Sequence, residues 1–316
     1  MATNRNYEKY PHNLFPPRKI TVNRSEYNYY LVRFNNLYEI YKYLKSDPYV
    51  NRSIFRTLSS REARPEFAGM PYVKAVEDLI NLNDQVYFNF VDLVKDIAYA
   101  KTGTTHKYRT VRTLAGGHLN IPLYSAGSPY CYETQEQIKR PKFVNIYSAL
   151  SYSSNTSKYQ VFNRAVILIS IISALEKQGY KINLNAFEMS TCGNEIVNNV
   201  VGIKSYTDQT NLQTLYKTSC KVEFLRRIMF GVLETVDVKN EWGAGYGRTA
   251  KEDFAKSVLN VGKDDIYFGT PQELGVGGGS IEKDFKNCLA NLKLDGNISV
   301  GEIGEDFQKQ LKKVIS

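Results

Sequence analysis

The sequence predicts an α/β fold, and three stretches predict it. Lys142–Leu150 (KFVNIYSAL) reads as a strand rich in β-branched and aromatic residues. Arg164–Gln178 is a helix apolar on nearly all sides, which therefore needs cover on most of them. Gly179 stops it, and Lys181–Met189 (KINLNAFEM) resumes as a strand. Together these make a βαβ unit, the seed of a three-layer α/β core.

Each neighbouring element follows from its own pattern. Residues 1–21 are polar and carry Pro11, Pro16 and Pro17, which predicts an extended arm. Between Glu26 and Leu44, apolar residues recur at three- and four-residue steps, as in a helix. Part of that stretch (EYNYYLVRF) fits a strand equally well. Asp47-Pro48 breaks it, and the basic segment Asn51–Arg64 with Arg52 and Arg56 reads as a loop. Pro71 opens a helix over Tyr72–Leu82, and a second runs over Val86–Tyr99. Glu195–Tyr206 is a further strand, and the short link before it favours antiparallel pairing. Leu212–Val236 reads as one long helix with Arg226 and Arg227 at an exposed edge or in salt bridges. Asn240–Arg248 and Gly275–Gly279 are glycine-rich loops. Ile266–Phe268 is a short strand, and Ile281–Leu292 and Ile303–Ile315 are amphipathic helices. The expected organisation is an arm (1–21), a mixed α/β region (22–139), an α/β domain (140–294) and a terminal helix (295–316).

Composition narrows the function classes. The 316 residues suffice for a sizeable core, and 42% hydrophobic with 23% charged residues is ordinary for a globular protein. The net charge of +9 favours a polyanionic partner. Four dispersed cysteines (131, 192, 220, 288) form no CxxC, and His12, His106 and His118 sit in no zinc spacing, so reduced thiols in the cytoplasm are expected. The N-terminus has no signal-peptide core, and the run Ala165–Leu175 is too short to span a bilayer, so no membrane role is expected.

The candidate binding surface lies just upstream of the βαβ unit. From Ile97 to Tyr132 there is no Asp or Glu, while Lys101, Lys107, Arg109 and Arg112 alternate with tyrosines such as Tyr108. Cations for phosphates and rings for bases are what single-stranded nucleic acid needs. With Arg52 and Arg56, these residues are the predicted nucleic-acid contacts, for RNA or DNA. The bland alternative is a strand with a solvated basic face. No phosphate loop, dinucleotide fingerprint or catalytic triad signature occurs. No catalytic residue and no cofactor are therefore expected, and the alternative role is a protein-binding or structural module, including a homo-oligomer.

Two resemblances sharpen this. The order strand, helix, strand, strand, helix is similar to the start of a von Willebrand factor A domain, a Rossmann-type fold. That family binds a divalent cation through DxSxS and a loop threonine. The equivalent IYSALSYSS keeps Ser148, Ser151 and Ser153 without the leading Asp, and TDQTNLQTL offers Thr210 beside Asp208. Hard cations want carboxylate oxygens, so the resemblance implies a metal-free scaffold, with Ser148, Ser151 and Thr210 as the residual metal candidates. The segments RPEFAGMPYVKAVEDL, LAGGHLNIPLYSAGSPYCYE, SALEKQGYKINL, EFLRRIMFGVLE and GYGR, in that order, resemble a family of phage and prophage proteins. That resemblance implies a phage or prophage origin and carries no activity; the structural alternative is a virion component, an assembly factor or an inhibitor of a host defence complex.

Overall fold

The computed structural model describes residues 14–46, 69–81, 87, 108–137, 142–153, 155–236, 248–277 and 280–292. Strands β1 (Leu14–Val22) and β2 (Ser25–Phe34) form a hairpin whose two-residue turn, Asn23-Arg24, has φ of 50° and 66°. Both turn residues lie in the left-handed region, the geometry that matches strand twist in tight hairpins. Pro16 and Pro17 fall where the β1 register shifts, between Phe15 and Arg18, on an edge strand that tolerates missing donors. Residues 14–21 are thus part of a strand, and the expected arm does not extend over them.

Helix α1 (Leu37–Ser46) follows, capped by Asn36 Oδ1, which accepts from Glu39 N at 3.0 Å. Helix α2 (Tyr72–Asp78) starts directly after Pro71, as predicted. A separate three-stranded antiparallel sheet contains β3 (Tyr108–Thr113), β4 (His118–Leu119) and β5 (Tyr132–Gln137), in the order β3-β5-β4, with the short helix α3 (Ile121–Ser125) between β4 and β5.

The βαβ unit is present as β6 (Lys142–Ala149), α4 (Lys158–Lys177) and β7 (Tyr180–Cys192). Ser157 and Gln160 close a reciprocal capping box at the start of α4. At its end Gly179 takes φ +83°, a conformation side chains resist. Strand β8 (Glu195–Lys204) returns antiparallel to β7 through the tight turn Gly193-Asn194.

The stretch read as one long helix is interrupted. Helix α5 (Leu212–Ser219) ends at Cys220, and the chain resumes as a π-helical turn (Phe224–Met229) that continues into α6 (Phe230–Leu233). Arg226 and Arg227 sit inside that turn and are 5% and 1% exposed, so the expected exposed edge is corrected to a buried one. Arg227 Nε donates to Met70 O at 2.8 Å, tying the turn to the segment before α2. Strands β9 (Arg248–Thr249) and β10 (Ile266–Phe268) flank α7 (Glu252–Leu259), and α8 (Ile281–Asn291) follows.

Among the described residues, seven strands make one mixed sheet in the order β1-β2-β8-β7-β6-β10, with β9 extending the β6 side of β7. Strands β6, β7 and β10 are parallel, and β2 pairs parallel to β8. The N-terminal hairpin therefore belongs to the same sheet as the βαβ unit, and the boundary expected near residue 140 does not divide it. Because side chains alternate, each strand serves two faces. Val144, Ile146, Ile182 and Leu184 pack under α4, α5 and α8, while Tyr30, Val32, Phe34, Val197 and Val201 pack under α1, α2 and the π turn. On the other face, Tyr29, Phe187, Met189, Ile196 and Val200 pack with Phe254, Val258 and Leu259 of and beside α7. Among the described residues α7 alone covers that face, so the layering is lopsided rather than an even three layers.

Helix α4, which contains the apolar run Ala165–Leu175, is long and apolar enough to cross a membrane by length and composition alone. Its most apolar window is 78% buried inside the protein, where it forms the middle of the core.

Candidate nucleic-acid interface

The face that α7 leaves open is at the amino ends of β6 and β7. Alternation turns Phe143, Asn145 and Tyr147 of β6 away from α4, and in the adjacent strand Lys181, Asn183 and Asn185 stand beside them in register. Phe143 is 59% exposed and Lys181 is exposed, while Asn145, Tyr147 and Asn183 are half-buried. Tyr206, just past β8, folds over this row: its ring meets Phe143 edge-on, with centroids 5.2 Å apart at 87°. Its hydroxyl donates to Asn145 Oδ1 at 2.6 Å, and Asn183 Nδ2 donates to the same oxygen at 2.9 Å. Asn145 in turn donates from N and Nδ2 to Asp265 Oδ1, at 3.1 and 2.8 Å.

These bonds orient the amides and the Tyr206 ring and leave Phe143 as the exposed ring of the row, while the half-buried Tyr147 also packs against the cluster under α7. Burial raises the Tyr147 hydroxyl pKa above its ordinary value, the Asp265 carboxylate and Tyr206 add to this, and Arg33 opposes it. Tyr147 is therefore a neutral phenol flanked by one cation. Arg33 lies exposed on β2, on the same side of the sheet as Leu31. Nearer the edge Arg18 sits over the Tyr29 ring at 5.0 Å. Aromatic rings, oriented amides and flanking cations on an open sheet suit stacked, unpaired bases.

The basic strip predicted from sequence has a different setting. Arg112 is opposite Glu133 in the β3–β5 pairing, with Nε 3.8 Å from Oε1, and Arg109 holds the register position opposite Glu136. The window free of acids in sequence is faced by acids in space, since β5 begins at its end. Tyr108 opposes Gln137. Lys101, Lys107, Arg52 and Arg56 lie outside the described residues, as do the expected helix over 303–315 and, apart from the helical Tyr87, the one over 86–99.

A family model for a domain of unknown function, DUF7192, matches residues 10–296. The chain belongs to the DUF7192 family. No curated protein and no solved structure matches it. The DUF7192 match spans every described element, so the open sheet face and the small sheet both lie within the family's domain. Its description assigns no chemistry.

The metal candidates of this DUF7192 domain are not brought together. Ser148 Oγ accepts from Arg164 Nη2 at 3.0 Å, near the start of α4, whereas Thr210 donates to Glu176 Oε2 at 2.9 Å, at its end. Twelve residues of helix between those contacts amount to about 18 Å. Asp208 accepts from Ser205 N at 3.0 Å within its own loop. Among the described residues, no group of three His, Cys, Asp or Glu side chains is placed to hold a metal.

Proposed function

We propose that the chain binds single-stranded nucleic acid on the open face of its main sheet, and acts by binding rather than catalysis. The observation that carries this reading is the row Phe143, Tyr147 and Tyr206 with Asn145 and Asn183, on a surface flanked by Arg33 and Lys181. Base stacking on such rings contributes about 1–3 kcal/mol per base and tolerates any sequence. The net charge of +9 supplies the phosphate-directed attraction. The scaffold reading is a von Willebrand factor A-like core without its metal. It is supported by the strand order: β8, β7, β6 and β10 lie side by side in that order, with β8 antiparallel to β7 and β10 parallel to β6, the two-residue β9 standing off this path. A phage or prophage origin and a cytoplasmic setting accompany this reading.

Fluorescence anisotropy with labelled single-stranded RNA, single-stranded DNA and duplex, between about 50 and 200 mM salt, tests it. Tighter binding of a single strand than of duplex, persisting at the upper salt level, is expected. Equal, weak binding of all three that disappears with salt contradicts it.

A second reading has its own observation. The small sheet and its loops expose Leu114 (63%), Ile121 (67%), Tyr124 and Tyr130 within seventeen residues. Apolar residues clustered in this way mark protein contacts. A protein partner or a second copy of the chain would cover them. Light scattering at rising concentration tests the second copy: Ile121→Asp returns a dimer to monomer under this reading and changes nothing otherwise.

A further inference from the structure

At the opposite end of the parallel strands, a buried cation lacks a counter-charge. Arg164 is 3% exposed. Its Nε donates to Gly269 O at 2.7 Å, and its Nη2 reaches Ala149 O at 2.7 Å, Phe268 O at 3.0 Å and Ser148 Oγ at 3.0 Å. The guanidinium thus bridges the carboxyl ends of β6 and β10. All four acceptors are neutral. Among the described residues Nη1 has no hydrogen-bond partner, and no carboxylate forms an ion pair with Arg164. Glu273, which bears on it electrostatically, accepts from Thr270 N at 2.7 Å instead. Buried charges are ordinarily paired, because an unpaired one loses its hydration without return.

A buried hydroxyl with no partner follows in the chain. Ser151 Oγ is buried without a partner, two residues beyond the Ala149 carbonyl that Arg164 holds. Next in the chain, Tyr152 lies within the field of both Arg164 and Arg226, and the Arg226 guanidinium stands over its ring at 5.5 Å. The place in the fold is equally specific: β6 connects through α4 to β7 on one side, and β10 joins later on the other. Open α/β sheets bind ligands at such a reversal, beyond the carboxyl ends of the strands.

We infer that Arg164 Nη1 and Ser151 Oγ form an oxyanion subsite for a phosphate group at the carboxyl ends of β6 and β10. It is distinct from the sheet face, which lies at the other end of β6 and on its other side, so it stands or falls independently of nucleic-acid binding. The phosphate comes either free or as the terminal group of a mononucleotide.

The test is a thermal-shift titration of the whole chain with inorganic phosphate and with a 5′-mononucleotide, against chloride at matched ionic strength. Saturable stabilisation by phosphate is expected. A tighter midpoint for the mononucleotide assigns the terminal-phosphate source, and an equal or weaker one assigns free phosphate. Ser151→Ala, which removes a small unpartnered hydroxyl, weakens the midpoint about fivefold, the equivalent of one hydrogen bond. Arg164→Lys, checked for folding by circular dichroism, loses saturation. No stabilisation of the unaltered chain beyond the chloride control overturns the site, as does a Ser151→Ala protein that responds identically.

Discussion

Tyr206 donates its hydroxyl to Asn145 Oδ1 across 2.6 Å, and this bond holds the Tyr206 ring edge-on to Phe143, 5.2 Å away. A loop residue beyond β8 is thereby fixed over a strand it does not pair with. Tyr206→Phe keeps the ring and removes the bond. Nucleic-acid affinity is expected to fall about two- to tenfold through loss of orientation, the scale of one hydrogen bond. An anisotropy titration checks this.

Phe143→Ala removes a largely exposed ring. Folding stability changes by about 0.5 kcal/mol or less, as for surface positions. Affinity for a single strand falls between about fivefold and a hundredfold, the range of one stacked base. Thermal unfolding alongside anisotropy separates the two effects.

Arg33 is exposed and lies on the side of the sheet that carries Leu31 and Tyr147. If it meets a phosphate, Arg33→Ala lowers the slope of log affinity against log salt by about one and weakens all sequences alike. Anisotropy at four or more salt concentrations measures that slope.

Glu188 is fully buried and accepts from Ser190 Oγ and from Asn199 Nδ2, the latter at 2.9 Å. Burial pushes its carboxyl up to about 7 against the lowering effect of those two bonds. In the unfolded chain it titrates near about 4.3. Between these values the folded state binds more protons, so stability falls as pH rises from about 4.3 to 7 and is level above. The loss is on the order of 3 kcal/mol. Glu188→Gln removes this slope and raises Tm at pH 8, measured by calorimetry across pH 5–8.

Arg164→Ala leaves the acceptors at Ala149, Phe268 and Gly269 without their donor in the core. Destabilisation of about 3 kcal/mol or more is expected. Urea unfolding at neutral pH checks it.

The parts of the fold legible in sequence were those with strong local periodicity. α4 and its flanking strands announced themselves through apolar content and Gly179, although the turns of α4 before Arg164 were not read as helix, and the tight link to β8 implied its antiparallel return. Strand β2 was ambiguous because Tyr27, Leu31 and Phe34 satisfy a helical spacing as well as an alternating one. Its parallel pairing to β8, across 160 residues and more, has no local signature. The π turn was hidden for a similar reason: Arg226 and Arg227 read as surface residues until the backbone of Met70 supplies an acceptor.

The candidate site was less legible than the fold. A gap in acids along the sequence says nothing about which strand pairs next, and Glu133 faces Arg112 because β5 does. Phe143, Asn145 and Tyr147 looked like ordinary alternation on a half-buried strand. Only the placement of α7 toward the β9 end shows that their side of the sheet is left open among the described residues.

Ultraviolet cross-linking of the chain to a single-stranded oligonucleotide, with the attached peptides mapped by mass spectrometry, tests the central claim most directly. Cross-links at Phe143, Tyr147 and Tyr206, lost on competition with unlabelled single strand, are the predicted result. Cross-links confined to the small sheet over 108–137, or none above a duplex control, would contradict it.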